Sequence, residues 1–88
     1  MKVTFDNFQL YVEQDLYEAM LERYGSQPYR DTGKTAIKTN NSFASWMIAA
    51  KVGDKYKITP ISSQHNERQS LQMEAYWTVL KEFPIKEF

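Results

Sequence analysis

Cysteine is absent from this sequence. No disulfide can staple the fold, and no thiolate is available as a nucleophile or a soft metal ligand. Histidine occurs once, at His65; a lone histidine without cysteine cannot build a structural zinc site. Long apolar runs are missing as well. No window approaches the 18 or so residues of a membrane-spanning helix, and the start, MKVTFDNFQ, does not read as a signal peptide. These absences point to a cytoplasmic chain with no membrane partner, no metal and no cofactor. Glycine and proline number three each, so each is read as punctuation.

What is present is apolar and aromatic. Hydrophobic residues make up 42% of the 88 positions and aromatics 15%, enough for a packed core and against disorder. The length allows one small globular domain over residues 1–88. Net charge is zero but unevenly spread. Residues 1–22 hold five acids against Lys2, a balance of −4, whereas residues 23–57 hold seven bases against Asp31 and Asp54, a balance of +5. Such polarity marks an anionic partner, or two halves that attract each other.

Along the chain, Val3 and Phe5 alternate with Lys2 and Thr4 as in a short edge strand. Asp6-Asn7-Phe8-Gln9 reads as a capping box, opening a helix that runs to about Tyr24 with Gly25 as its cap. Ser26–Gly33, with Pro28 and Gly33, reads as a loop. Thr35–Thr39 reads as a short strand and Asn40-Asn41 as a turn. Ser42–Val52 fits either a helix stripe or the first arm of a hairpin; Gly53-Asp54 followed by Lys55–Ile61 favours the hairpin, with Gly53 at the first position of a type II′ turn. After a polar break at Ser62–Asn66, a helix capped by Asn66 runs to about Phe83 and stops at Pro84. The expected fold is α+β: a small two-layer domain of β-α-(β)-β-β-α order, an antiparallel hairpin or sheet packed against two helices.

Residues 30–35, Arg-Asp-Thr-Gly-Lys-Thr, combine two catalytic signatures. Gly33-Lys34-Thr35 ends a phosphate-binding loop, but the first glycine position of that motif is Pro28, which has no N–H to offer phosphate. Asp31-Thr32-Gly33 is the triplet of aspartic proteases, but those need a buried carboxylate pair, and Asp31 stands between Arg30 and Lys34. Ordinary turn chemistry explains the stretch. Ser62, Ser63 and His65 are neighbours in sequence without an orienting acid, and Glu18 with Glu22 reads as a solvated helix face. No constellation specifies an enzyme.

The hairpin carries the most information. A two-residue turn at Gly53-Asp54 pairs Val52 with Lys55 and Ala50 with Lys57, setting Trp46, Ile48, Ala50 and Val52 beside Lys55, Lys57 and Thr59 on one face, with Phe43, Met47, Ala49, Tyr56 and Ile58 on the other, the better core face. A one-residue bulge instead aligns Trp46, Ile48, Ala50 and Val52 with Tyr56 and Ile58, a cleanly amphipathic ribbon. Turn chemistry supports the first register; burial pattern supports the second, which puts Trp46 in the core and is the reading favoured for that residue. The candidate binding surface is Lys34, Lys38, Trp46, Lys51, Lys55, Tyr56 and Lys57.

The functional expectation is a small non-enzymatic protein-binding module, an inhibitor, adaptor or regulator of the size of phage and mobile-element accessory proteins. The alternative is a nucleic-acid-binding domain, with those lysines on phosphates and Tyr56 or Trp46 stacking on bases. The helix, three strands, helix order is that of double-stranded-RNA-binding domains, but the lysine cluster such domains need at the last helix is missing from Gln64–Gln69. Homodimerisation through the hairpin edge or the Phe88 tail is a further arrangement.

Overall fold

The structure is a computed structural model and describes residues 1–39, 45–61 and 69–86. The expectations for Asn40-Asn41, Phe43, the Ser62–Asn66 break, His65 and the Phe88 tip lie outside the described residues. Within them the chain runs β1 (Val3–Asp6), β2 (Gln9–Val12), α1 (Gln14–Tyr24), β3 (Ser26–Tyr29), β4 (Lys34–Lys38), β5 (Trp46–Val52), β6 (Lys55–Ile61) and α2 (Gln69–Leu80). The six strands form one antiparallel sheet in the order β1-β2-β6-β5-β4-β3. The fold is α+β, but with two more strands than the expected order allowed.

The first correction is at Asp6–Gln9. This is not a helix cap but a hairpin turn: Asp6 pairs with Gln9, and Asn7 and Phe8 both take positive φ, 53° and 62°, the pattern of a type I′ turn. Leu10 and Val12 then lie two apart on one face of β2, opposite Ile58 and Tyr56 of β6. In a helix, residues two apart point away from each other; in a strand both reach the core. Pairing with β6 outweighs the local cap signal. Helix α1 starts instead at Gln14, with Glu13 as its N-cap and no side-chain cap bond, and ends as expected at Tyr24, where Gly25 (φ 78°) donates its N–H to the Leu21 carbonyl at 2.8 Å.

The second correction is at Ser26–Gly33, read as a loop. Ser26–Tyr29 is the outermost strand, paired with β4 in the register Ser26↔Ile37 to Tyr29↔Lys34. Pro28 is tolerated because an edge strand has one side with no ladder to complete. Arg30–Gly33 is the turn, tied by the Thr32 hydroxyl, which donates to the Tyr29 carbonyl at 2.5 Å and accepts from the Lys34 N–H at 3.1 Å. Gly33-Lys34-Thr35 therefore leads into a strand, not a helix.

Both helices cover the same face of the sheet. Beneath them Val3, Leu10, Val12, Ile37, Met47, Ala49 and Ile58 pack against Leu16 and Met20 of α1 and Ala75, Tyr76, Val79 and Leu80 of α2. Three tyrosines fix the layer. Tyr17 of α1 stacks on Tyr56 of β6 with ring centroids 3.7 Å apart and planes 6° from parallel, and its hydroxyl lies 3.2 Å from Thr35 Oγ1. The buried Tyr76 hydroxyl donates to the Ile58 carbonyl at 2.9 Å and accepts from Gln72 at 3.0 Å. Tyr24 meets Phe83 edge-on at 6.1 Å. Where the helix ends meet, Arg23 makes a two-pronged contact to Glu82, 3.0 and 3.1 Å, and the Tyr24 hydroxyl joins the same carboxylate. Glu82 holds the Arg23 guanidinium in its charged form more firmly than usual, by hydrogen bond first and by charge second.

Candidate docking surface on the open sheet face

The β5–β6 register is that of a two-residue turn: Val52 opposite Lys55, Ala50 opposite Lys57, Ile48 opposite Thr59 and Trp46 opposite Ile61. Gly53 takes a φ of 65° and Asp54 does not take a positive one, the sign pattern of a type II′ turn. There is no bulge. Side chains alternate across the pleat, so Met47, Ala49 and Ile58 go under the helices while Trp46, Ile48, Ala50 and Val52 go to the face that no described helix covers. The core reading of Trp46 is thus overturned: the indole is half-buried on the open face.

The register lines up rows across that face. One runs Thr4, Tyr11, Lys57, Ala50; a second runs Thr59, Ile48, Ala36, Gln27; a third runs Ile61, Trp46, Lys38. Lys34, opposite Tyr29, and Lys55, opposite Val52, complete the basic set. Lys38 holds its ammonium 5.8 Å from the centre of the Trp46 ring, and Lys55 reaches Thr4 Oγ1 at 3.3 Å. Among the strand residues of this face Asp6 alone is acidic, at the far hairpin. Asp15, Glu18, Glu22, Glu74 and Glu82 all belong to the two helices and the turn after α2. The polarity of the sequence becomes a polarity of layers, with a basic sheet face and an acidic helix face.

Of the seven candidate residues, the fold gathers Lys34, Lys38, Trp46, Lys55 and Lys57 on the open face. It separates Lys51 and Tyr56, which lie on the helix side. The Tyr56 ring is taken up by Tyr17, and the Lys51 ammonium lies 6.0 Å from its centre; Tyr56 is not free to stack on a base.

The open face also has relief. Tyr29, Arg30 and Gln27 at the edge, Ala36 of β4, Trp46 and Ile48 of β5 and Ile61 of β6 line a groove of about 250 Å³. Its floor is apolar, with Ala36 3% and Ile48 7% exposed, while Ile61 at its rim is 38% exposed. Arg30, with a φ of 52°, carries its guanidinium 5.3 Å from the centre of the Tyr29 ring at the groove's mouth. Tyr11, Tyr29, Arg30 and Ile61 were not among the sequence candidates; Tyr11 and Tyr29 stand in β2 and β3, which the sequence reads as helix and loop. The alternation of Leu10 and Val12 with Gln9 and Tyr11 is the signal that exposes the first of them.

Among the described residues no helix is long and apolar enough to cross a membrane, and no group of three or more metal-ligating side chains is placed to hold an ion. Compared with protein-family models, with curated proteins and with solved structures, the chain matches none.

Proposed function

We propose that the open sheet face is the docking surface of a non-enzymatic binding module whose partner is an acidic protein surface. The observation that carries this reading is the mixing of apolar side chains (Trp46, Ile48 and Ile61 towards one end of the face, Val52 at the other) with Lys34, Lys38, Lys55 and Lys57 on the same strands. Apolar anchors set among cations suit a protein interface. Val52 and Ile61, 50% and 38% exposed, have no role in stacking bases, whereas a protein partner buries them.

Size and charge narrow the occupant. Six strands at about 4.8 Å spacing and about 3.4 Å per residue give a face of roughly 500 Å², close to the 600 Å² or so that each side contributes to a small specific interface. One partner therefore nearly fills it. A second copy docked face to face would set four lysines against four. A second copy docked by its acidic helix layer would make a head-to-tail contact, which builds a ring or a filament instead of a simple pair. A different, acidic protein fits both constraints.

The test is site-specific photocrosslinking in cells producing the protein. A photoreactive residue at Val52 or Ile61 on the open face, against one at Glu74 on the helix face, should give adducts from the first two only. Those adducts should be acidic proteins, should resist nuclease, and should vanish in Lys38→Glu/Lys57→Glu. Adducts that persist after charge reversal, or that form equally from Glu74, overturn the proposal. Adducts lost to nuclease, together with salt-dependent binding of labelled oligonucleotides, would assign the face to nucleic acid instead.

A further inference from the structure

We infer that the groove between Tyr29 and Trp46 is the anchor point of this surface: it takes one large apolar side chain of the partner, with a neighbouring carboxylate held by Arg30. This rests on the docking reading and names the local chemistry of the partner.

At about 250 Å³ the groove is smaller than the roughly 300–1,000 Å³ of small-molecule and cofactor pockets. One large side chain matches its size. Its floor of Ala36 and Ile48 has nothing polar to offer, and its walls are two aromatic rings and Ile61. An aliphatic or aromatic group is the matching shape, and an aromatic one gains edge or offset contacts with Tyr29 and Trp46.

The carboxylate follows from Arg30. A non-glycine residue in the left-handed region is uncommon and mildly strained, and Arg30 adopts it at the groove's mouth, with its guanidinium beside the Tyr29 ring. A guanidinium presents a planar fork matched to a carboxylate's two oxygens. Lys38, at the Trp46 wall, supplies a second cation on the opposite side. No acidic residue lines the groove. An apolar residue flanked by Asp or Glu therefore meets shape and charge together, whereas a basic or purely apolar segment meets only one or neither.

The experiment uses the full chain with Trp77→Phe, so that Trp46 is the sole indole, and two labelled peptides, Glu-Asp-Phe-Asp-Glu and Glu-Asp-Ser-Asp-Glu. Binding is read by Trp46 emission and by amide chemical shifts of Tyr29, Ala36 and Ile48. The expected result is that the Phe peptide binds roughly tenfold or more tighter than the Ser peptide, the ratio that burial of one apolar side chain supplies. Arg30→Gln, at an exposed turn, should weaken the Phe peptide and leave the fold intact, and Trp46→Ala should erase the difference between the peptides. If the two peptides bind alike, lose affinity with salt and lose it in Lys57→Glu, the groove inference is overturned while the basic docking face stands. If neither peptide shifts the groove amides, the inference is overturned as well, and photocrosslinking from Val52 and Ile61 decides the docking reading separately.

Discussion

On one side of this sheet Ile58 has no exposed surface at all; one residue on, Thr59 is half-buried on the other side. The same alternation runs along β5, where Met47 and Ala49 are 1% and 3% exposed beneath the helices while Trp46 and Ala50 remain half-buried and Val52 is half open. The two faces are built from adjacent residues on the same strands, yet they face different demands. The covered face is apolar without interruption at its centre and meets two helices. The open face mixes apolar side chains with lysines and meets none among the described residues. Burial is concentrated on the first, so the composition of the second is less constrained by packing.

The comparison is broken most sharply by truncating across it. Ile58→Ala should destabilise the fold by about 2–5 kcal/mol, the transfer loss plus an enclosed void. Thr59→Ala should stay within about 0.5 kcal/mol, as an open-surface change does. Urea midpoints at constant slope measure both. Ile48 is the boundary case, at 7% exposure on the uncovered face. The space left by Ile48→Ala opens into the groove, where water enters, so the loss should be nearer about 2 kcal/mol, the transfer of three carbons without a cavity term. A loss as large as that of Ile58→Ala would mean that the open face is a second core.

Tyr76 sharpens the covered side with pH. Burial pushes its phenol above the ordinary value, and the hydrogen bond from Gln72 only partly opposes this. The proton is therefore held more tightly in the folded chain than in the unfolded one. The contribution is complete below the unfolded value of about 10 and fades as pH rises through the higher folded value. Tyr76→Phe removes the bond to the Ile58 carbonyl and should cost about 1 kcal/mol near neutrality. The gap between wild type and variant should be flat up to about pH 10 and narrow above it. A gap that stays flat to pH 11 would place the hydroxyl in contact with solvent.

The two hairpins show why part of this fold was legible in the sequence and part was not. Gly53 at the first position of a two-residue turn fixes the register by itself, and the register assigns every residue of β5 and β6 to a face. That reading was available without coordinates. The competing burial pattern failed because β5 is apolar on both sides, so counting apolar residues cannot tell which side meets the helices. Trp46 was misplaced for that reason alone. Asp6-Asn7-Phe8-Gln9 fails differently: the same four residues satisfy a helix cap and a reverse turn, and only the pairing of β2 with β6, more than forty residues on, decides between them. In four-residue strands the alternation is at its shortest: in β2 the cap signal beside it overrides it, and in β3 Pro28 masks it. Gln27 and Tyr29 of β3 and Arg30 of the turn after it line the groove, so three of its seven lining residues were hidden with that strand.

The smallest effect lies at the β1–β2 turn, at the border of both faces. There Phe8 is 48% exposed and takes the left-handed backbone that glycine adopts freely. Its partner position, Asn7, suits a type I′ turn; Phe8 does not. In the β5–β6 hairpin the residue with positive φ is Gly53, and no such conflict exists. Phe8→Gly should therefore stabilise the fold by about 0.5–1 kcal/mol: relief of the left-handed strain outweighs the added freedom of glycine in the unfolded chain. Gly53→Ala should move the other way by a similar amount, since open space around Gly53 leaves only the backbone penalty. Thermal midpoints of the two variants compare the turns directly. A destabilised Phe8→Gly would show that the Phe8 ring contributes packing that its exposure conceals, and would move the border of the covered face out to the hairpin tip.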